Sequence, residues 1–210
     1  MNTKKKVSEI IRRLRKEYPE PGTVLNFKNP FELLVATILS AQTTDVYVNK
    51  VTELLFKKYK SIKDYADVPL DVLRKDISSI NFYNNKARNI QASAKMIIGE
   101  FGSKVPKSMD ELTRLPGVAR KTANIILFNA YGMNEGIAVD THVKRVSSRL
   151  GLTQNEDPVK IERDLMAVTP RKEWGYLTHL LIFHGRKICG AKKPRHTDCV
   201  LFDICPSRNI

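Results

Sequence analysis

Lys121, Asp140 and a cysteine-rich tail are the positions of this chain whose residue types and spacing allow chemistry. Lys121 follows a Pro-Gly turn in Leu115-Pro-Gly-Val-Ala-Arg-Lys-Thr-Ala-Asn124, and that turn separates two segments with helical patterning. A helix–hairpin–helix of this kind aims the backbone N–H groups of the turn and of the second helix's N-terminus at one point, a ready site for a phosphate. A cation in the first turn opposes the helix dipole, so stability alone does not favour a lysine there. Position leaves two readings open: a solvated or phosphate-contacting lysine, or a lysine made nucleophilic by neighbouring positive charge. Asp140, in Gly136-Ile-Ala-Val-Asp-Thr-His-Val-Lys144, reads as the N-cap of a helix over 141–150 closed by Gly151. Its carboxylate would be held by backbone donors with one oxygen left over, although N-caps are more often structural than catalytic.

The tail reads Cys189-x6-His196-x2-Cys199-x5-Cys205, four soft ligands within seventeen residues. Three cysteines, all after residue 188, are odd in number and too clustered for a disulfide framework, so they point to a metal site. Three thiolates and an imidazole suit tetrahedral zinc, or an iron–sulfur cluster with one unusual ligand. The plainer reading of His196 is a surface residue beside a cysteine-only site.

The elements that must position these groups are helical throughout. Val7, Ile10, Ile11, Leu14 and Tyr18 recur at helical spacing before Pro19, Pro21 and Gly22. Asn29-Pro30 is a cap followed by proline at the first helical position, opening an apolar helix to about Leu39 that belongs deep in the core. Another helix carries Val48, Val51, Leu55 and Tyr59, and further amphipathic segments cover about 61–66, 69–79, 85–101 and 108–114, with Ser108-Met-Asp-Glu111 in the form of a capping box. Asp157-Pro158 opens another helix, and a last long one runs from Trp174 to about Ile188. Asn81-Phe-Tyr-Asn-Asn85 breaks the pattern with aromatics among turn formers, either a packing corner or a wedge into a base stack. No strand alternation or fixed repeat is evident, so the fold class is all-α.

The formal net charge is +14, from 36 Lys+Arg against 22 Asp+Glu, and it is spread along the whole chain. A basic surface that attracts a polyanion, nucleic acid above all, follows. No apolar run reaches the ~18 residues of a membrane span. The basic N-terminus leads into an amphipathic helix rather than a signal core, so the expectation is a cytoplasmic, nucleoid-associated protein.

With the 115–124 hairpin, Val139-Asp-Thr-His142 and the cysteine tail together, the sequence resembles the endonuclease III branch of the helix-hairpin-helix DNA glycosylases. Leu25-Asn-Phe, Asn29-Pro-Phe-Glu-Leu-Leu, Leu39-Ser-Ala-Gln-Thr-Thr-Asp45, Tyr83-Asn84, Lys86-Ala87, Asn89-Ile90 and His184-Gly-Arg186 carry the likeness nearly end to end. The resemblance implies two helical lobes with a DNA groove between them. Residues 24–133 would form a six-helix lobe holding the hairpin, and 1–23 with 134–210 the lobe of the metal cluster. It implies a bifunctional enzyme that removes oxidised pyrimidines and cleaves the abasic site by β-elimination. Lys121 would be its nucleophile on C1′ of a flipped-out nucleotide, and Asp140 the carboxylate that activates it. Gln42 and Phe82 would fill the space the base leaves, Leu115, Gly117, Ala119 and Arg120 would form the DNA-binding hairpin, and His142 would line the pocket or meet a phosphate. The expected partner is duplex DNA with a damaged base or abasic site, bound by a monomer.

Two departures from the pattern stand out. Ala119 replaces the hairpin's second glycine, at a cost of up to about 1 kcal/mol if that position needs positive φ. His196 replaces the tail's second cysteine. The expected cofactor is a [4Fe-4S] cluster ligated by Cys189, His196, Cys199 and Cys205, with zinc or no metal as the alternative. Competing functions are excision of thymine or uracil opposite guanine, a non-catalytic hairpin clamp on DNA, and a redox-sensing DNA protein.

Overall fold

The computed structural model describes residues 2–209. In chain order the helices are α1 (Thr3–Glu17), α2 (Pro30–Ser40), α3 (Asp45–Lys58), α4 (Ile62–Asp67), α5 (Leu70–Asp76), α6 (Tyr83–Glu100), α7 (Met109–Arg114), α8 (Arg120–Tyr131), α9 (Thr141–Arg149), α10 (Pro158–Val168) and α11 (Trp174–Lys187). Short 3₁₀ turns at Arg171–Glu173, His196–Asp198 and Phe202–Ile204 complete the structure, and no strand occurs among the described residues. None of the described helices is long and apolar enough to cross a membrane. The chain divides into two compact units, residues 24–133 and residues 1–23 with 134–210.

In the unit 24–133, α2 is the central element. The Asn29 side chain accepts the Glu32 N–H at 2.9 Å, Pro30 occupies the first helical position, and every residue from Leu33 to Leu39 is buried. Truncating one of these leucines to alanine costs about 2–5 kcal/mol, the transfer term plus the cavity left behind. Long helix α6 packs against α2, α4 and α5, while α8 packs against α2 and α7. The complete capping box lies at Ser61 and Asp64, at the start of α4. At α7 the Ser108 side chain does accept the Glu111 N–H, but Glu111 takes the Ser108 hydroxyl proton at 2.8 Å instead of closing a box on the backbone. Caps hold both helices, by different means.

In the second unit α1 joins the C-terminal half of the chain. Val7, Ile10 and Leu14 are fully buried in one cluster with Val143 and Val146 of α9, Ile161 and Leu165 of α10 and Leu177, Leu180 and Leu181 of α11. Arg13 ties the helix to the tail, donating to Asp203 at 2.5 Å and to the Val200 carbonyl at 2.9 Å. Helices α9 and α11 cross closely at Gly185, where a β-carbon would meet His142 Cβ and Val146 Cγ2 at 3.1 Å. The crossing brings Asp140, at the start of α9, onto the same scaffold as the cysteine tail that follows α11.

Candidate functional site

The hairpin is anchored from inside and presents its outer face to solvent. Val118 N–H closes the turn on the Leu115 carbonyl at 3.0 Å, and Gly117 takes φ +82°, a left-handed conformation natural to glycine. Leu115 and Val118 are buried, so Leu115 fixes the turn in the core rather than offering its side chain to a ligand. Ser93 of α6 donates to the Pro116 carbonyl at 3.0 Å, which fastens the turn to the long helix. Ala119 sits at φ −86°, ψ 169°, extended backbone that any residue adopts. The expected cost of its methyl through positive φ is therefore absent, and only Gly117 needs the left-handed region.

Gly117, Ala119, Arg120 and Lys121 are exposed along this edge. The first turn of α8 carries no acidic residue and its N-cap makes no side-chain bond. The positive end of the helix dipole thus lies beside two cationic residues with no carboxylate in its first turn, an arrangement suited to an anion.

In the same unit Gln42 and Phe82 lie on two exposed loops that touch. Asn81 Nδ2 donates to the Gln42 carbonyl at 2.7 Å. Both residues adopt left-handed backbone, φ 56° and 58°, and Phe82 is 61% exposed. A non-glycine residue held there costs about 1–3 kcal/mol, a strain that surrounding structure must sustain.

In the other unit Asp140 is the N-cap of α9. One carboxylate oxygen, Oδ1, accepts the N–H groups of both His142 and Val143 at 2.8 Å, leaving Oδ2 outside the cap. The segment before it is pinned by Thr178 of α11, whose hydroxyl accepts the Ala138 N–H at 3.1 Å. Burial pushes the His142 imidazole below its ordinary pKa, with Asp140 opposing and Arg145 and Arg186 adding. Its Nδ1 lies 3.2 Å from Arg145 Nη2. Behind the cap sits buried His179. Burial brings its pKa down to about 4, only partly offset by the Asp140 charge.

Cys189, His196, Cys199 and Cys205 line one small cavity, with His184 and Arg149 also in its wall. The three cysteines are not disulfide-bonded. Arg149 donates to Cys189 Sγ at 3.3 Å and to the Gly190 carbonyl at 2.7 Å, while Arg145 donates to the Cys189 carbonyl at 3.1 Å. One face of α9 thereby holds the loop that carries the first cysteine. His184 Nε2 lies 3.5 Å from Cys199 Sγ, a nitrogen that the tail spacing did not reveal. Burial pushes the Cys199 thiol up, and neighbouring Cys189 and Cys205 add to the shift against a backbone hydrogen bond from Leu201. Among the described residues no three His, Cys, Asp or Glu side chains gather closely enough to hold a single metal ion. The donors ring a common space instead.

Residues 35–171 match the family model described as HhH-GPD superfamily base excision DNA repair protein. The chain is 48% identical over 204 residues to Endonuclease III of Synechocystis sp., covering 97% of this chain and 93% of the relative. It is 50% identical over 189 residues to Endonuclease III of Bacillus subtilis, covering 90% and 86%. A solved structure of a trapped endonuclease III–DNA covalent intermediate, an estranged-adenine complex, superposes with a TM-score of 0.93 at 45% identity, covering 99% of this chain and 98% of that one.

Proposed function

The chain belongs to the HhH-GPD superfamily of base excision DNA repair proteins, in its endonuclease III group, and from that premise we propose which of its residues carry the chemistry. It is a base-excision repair DNA glycosylase and abasic-site lyase that acts on oxidised pyrimidines and binds DNA. The observation that carries the assignment of residues is the cation-bearing first turn of α8 directly after the Gly117 turn. A similar protein has been trapped in a covalent intermediate with DNA.

Lys121 is the nucleophile. Its amine nitrogen bonds to C1′ as the glycosidic bond breaks, and the bonding electron pair departs with the base. Opening of the sugar ring gives a Schiff base between Lys121 and C1′. Loss of a proton from C2′ then expels the 3′ phosphate by β-elimination, and hydrolysis frees the lysine. Asp140 accepts a proton from the amine or balances the positive charge that develops on the sugar, using the oxygen its cap leaves over. Gln42 and Phe82 fill the gap left by the extruded nucleotide, which offsets the few kcal/mol that unstacking costs. Gly117, Ala119 and Arg120 meet the backbone phosphates, and His142 lines the path of the nucleotide.

The three thiols and His196 line one cavity beside a guanidinium, a donor set that supports an iron–sulfur cluster there. We assign it a [4Fe-4S] cluster with His196 as the fourth ligand. When bound, the group braces the tail and so the basic loop of Lys192, Lys193 and Arg195. The protein acts as a monomer on genomic DNA in the nucleoid.

Parallel single-turnover excision on duplexes carrying thymine glycol, a thymine–guanine mismatch or an abasic site tests the substrate. Cleavage of the thymine glycol and abasic duplexes is expected. Cleavage restricted to the mismatch would move the protein to mismatch repair.

A further inference from the structure

Gln42 and Phe82 are two of the three non-glycine residues with positive φ among the described residues, the third being Ser103. Their left-handed backbone is disfavoured by the β-carbon, so contacts from outside must sustain it. Around Gln42 those contacts come from Asn81 and from one buried cation. Lys86, one turn into α6, is only 5% exposed. Its ammonium donates to the Leu39 carbonyl at 2.9 Å and the Ala41 carbonyl at 2.6 Å, and lies 3.4 Å from Thr43 Oγ1. Asn81 Nδ2 holds the carbonyl of Gln42 itself. The Phe82 carbonyl in turn accepts the N–H groups of Asn85 and Lys86 at 3.1 Å, which opens α6.

The backbone before Gln42, its own carbonyl and the Thr43 hydroxyl after it are therefore held by Asn81 and Lys86, which lie on either side of Phe82. The ammonium sits at the C-terminal end of α2, where helix carbonyls lack intrahelical partners and the dipole favours a cation. The oxygens it reaches are all neutral, so the charge is buried without a carboxylate among these contacts. Burial alone lowers its pKa. A methionine would fill the same space without that desolvation, so what the lysine adds is donors, not bulk.

We propose that Lys86 is a positioning residue for base excision, a clamp that with Asn81 sets Gln42 and Phe82 as one preformed wedge. The inference rests on the reading of Gln42 and Phe82 as the residues that fill the vacated space. A wedge held in its working backbone conformation enters the duplex without first being ordered, and that speeds extrusion of the base. Phosphate contacts at the hairpin do not pass through this clamp.

The test is single-turnover excision of thymine glycol by the full chain, alongside thermal melting and affinity for undamaged duplex. Lys86→Met is expected to lower excision by about tenfold or more, with undamaged-duplex affinity within about twofold. Asn81→Ala, at an exposed position, is expected to lower it severalfold. In a protein already carrying Gln42→Ala and Phe82→Ala, Lys86→Met should add nothing, because its target is gone. Additive losses, or wild-type excision by Lys86→Met, would overturn the proposal. If melting shows Lys86→Met unfolded, Asn81→Ala is taken through the same cycle, and silence or additivity there decides. Wild-type excision by the Gln42→Ala, Phe82→Ala protein would refute the wedge reading itself, and the proposal with it.

Discussion

A β-carbon placed on Gly117 would lie 2.8 Å from the Asn89 side-chain nitrogen. The hairpin turn thus rests directly on α6, at a backbone conformation that an L side chain rarely takes. Gly117→Ala meets both obstacles at once and should destabilise the protein by about 1–3 kcal/mol. Its affinity for duplex DNA should fall, because the turn that aims the α8 N-terminus is displaced. Melting curves and duplex titration check this. Asn89→Ala in the Gly117→Ala background removes the amide contact but leaves the residue-89 β-carbon close and the strain in place, and should restore part of the loss.

Asp140 has a structural and a chemical oxygen. Asp140→Asn keeps an acceptor for the His142 and Val143 N–H groups and removes the charge. Its melting temperature should hold while single-turnover excision falls steeply. Asp140→Ala removes the cap as well and should cost a further ~0.5–2 kcal/mol of stability. Equal melting temperatures for the two variants would show that the cap carries little.

Acid should expose His179. Its pKa falls from 6.5 in the free residue to about 4 in the fold, so between those values the unfolded chain binds the proton and the folded chain does not. The stability tied to the neutral ring is present above about pH 6.5 and is lost as pH drops toward 4. Replacing His179 with leucine removes a group that must otherwise be charged in the unfolded state. The stability of the wild type relative to His179→Leu should fall between pH 7.5 and pH 5, as read by chemical denaturation at each pH.

Much of this arrangement is local and therefore legible in the sequence. Asn29-Pro30, Asp157-Pro158 and Asp140 cap their helices through neighbours two or three residues away, and the apolar run after Pro30 is as buried as its composition demands. What sequence hides is long-range. Nothing near Lys86 in the chain says that its ammonium ends beneath Leu39 and Ala41. Nor does the chain around Arg145 and Arg149 say that they hold the Cys189 loop, some forty residues on. Ala119 shows the converse error. A family glycine suggested positive φ, and the backbone there is ordinary extended chain.

The tail assignment predicts about four irons and four sulfides per chain, with broad visible absorption. His196→Cys should retain the cluster at least as well and lower its reduction potential, since a thiolate replaces a neutral nitrogen. Stoichiometric zinc in the purified protein would defeat the assignment.

Borohydride trapping on a duplex carrying thymine glycol is the most direct test of Lys121 as nucleophile. The wild type should form a covalent adduct with DNA, and Lys121→Ala should form none while still binding the duplex. An adduct at wild-type yield from Lys121→Ala would place the nucleophile elsewhere. No adduct from the wild type, with binding intact, would make Lys121 a phosphate contact and the hairpin a clamp.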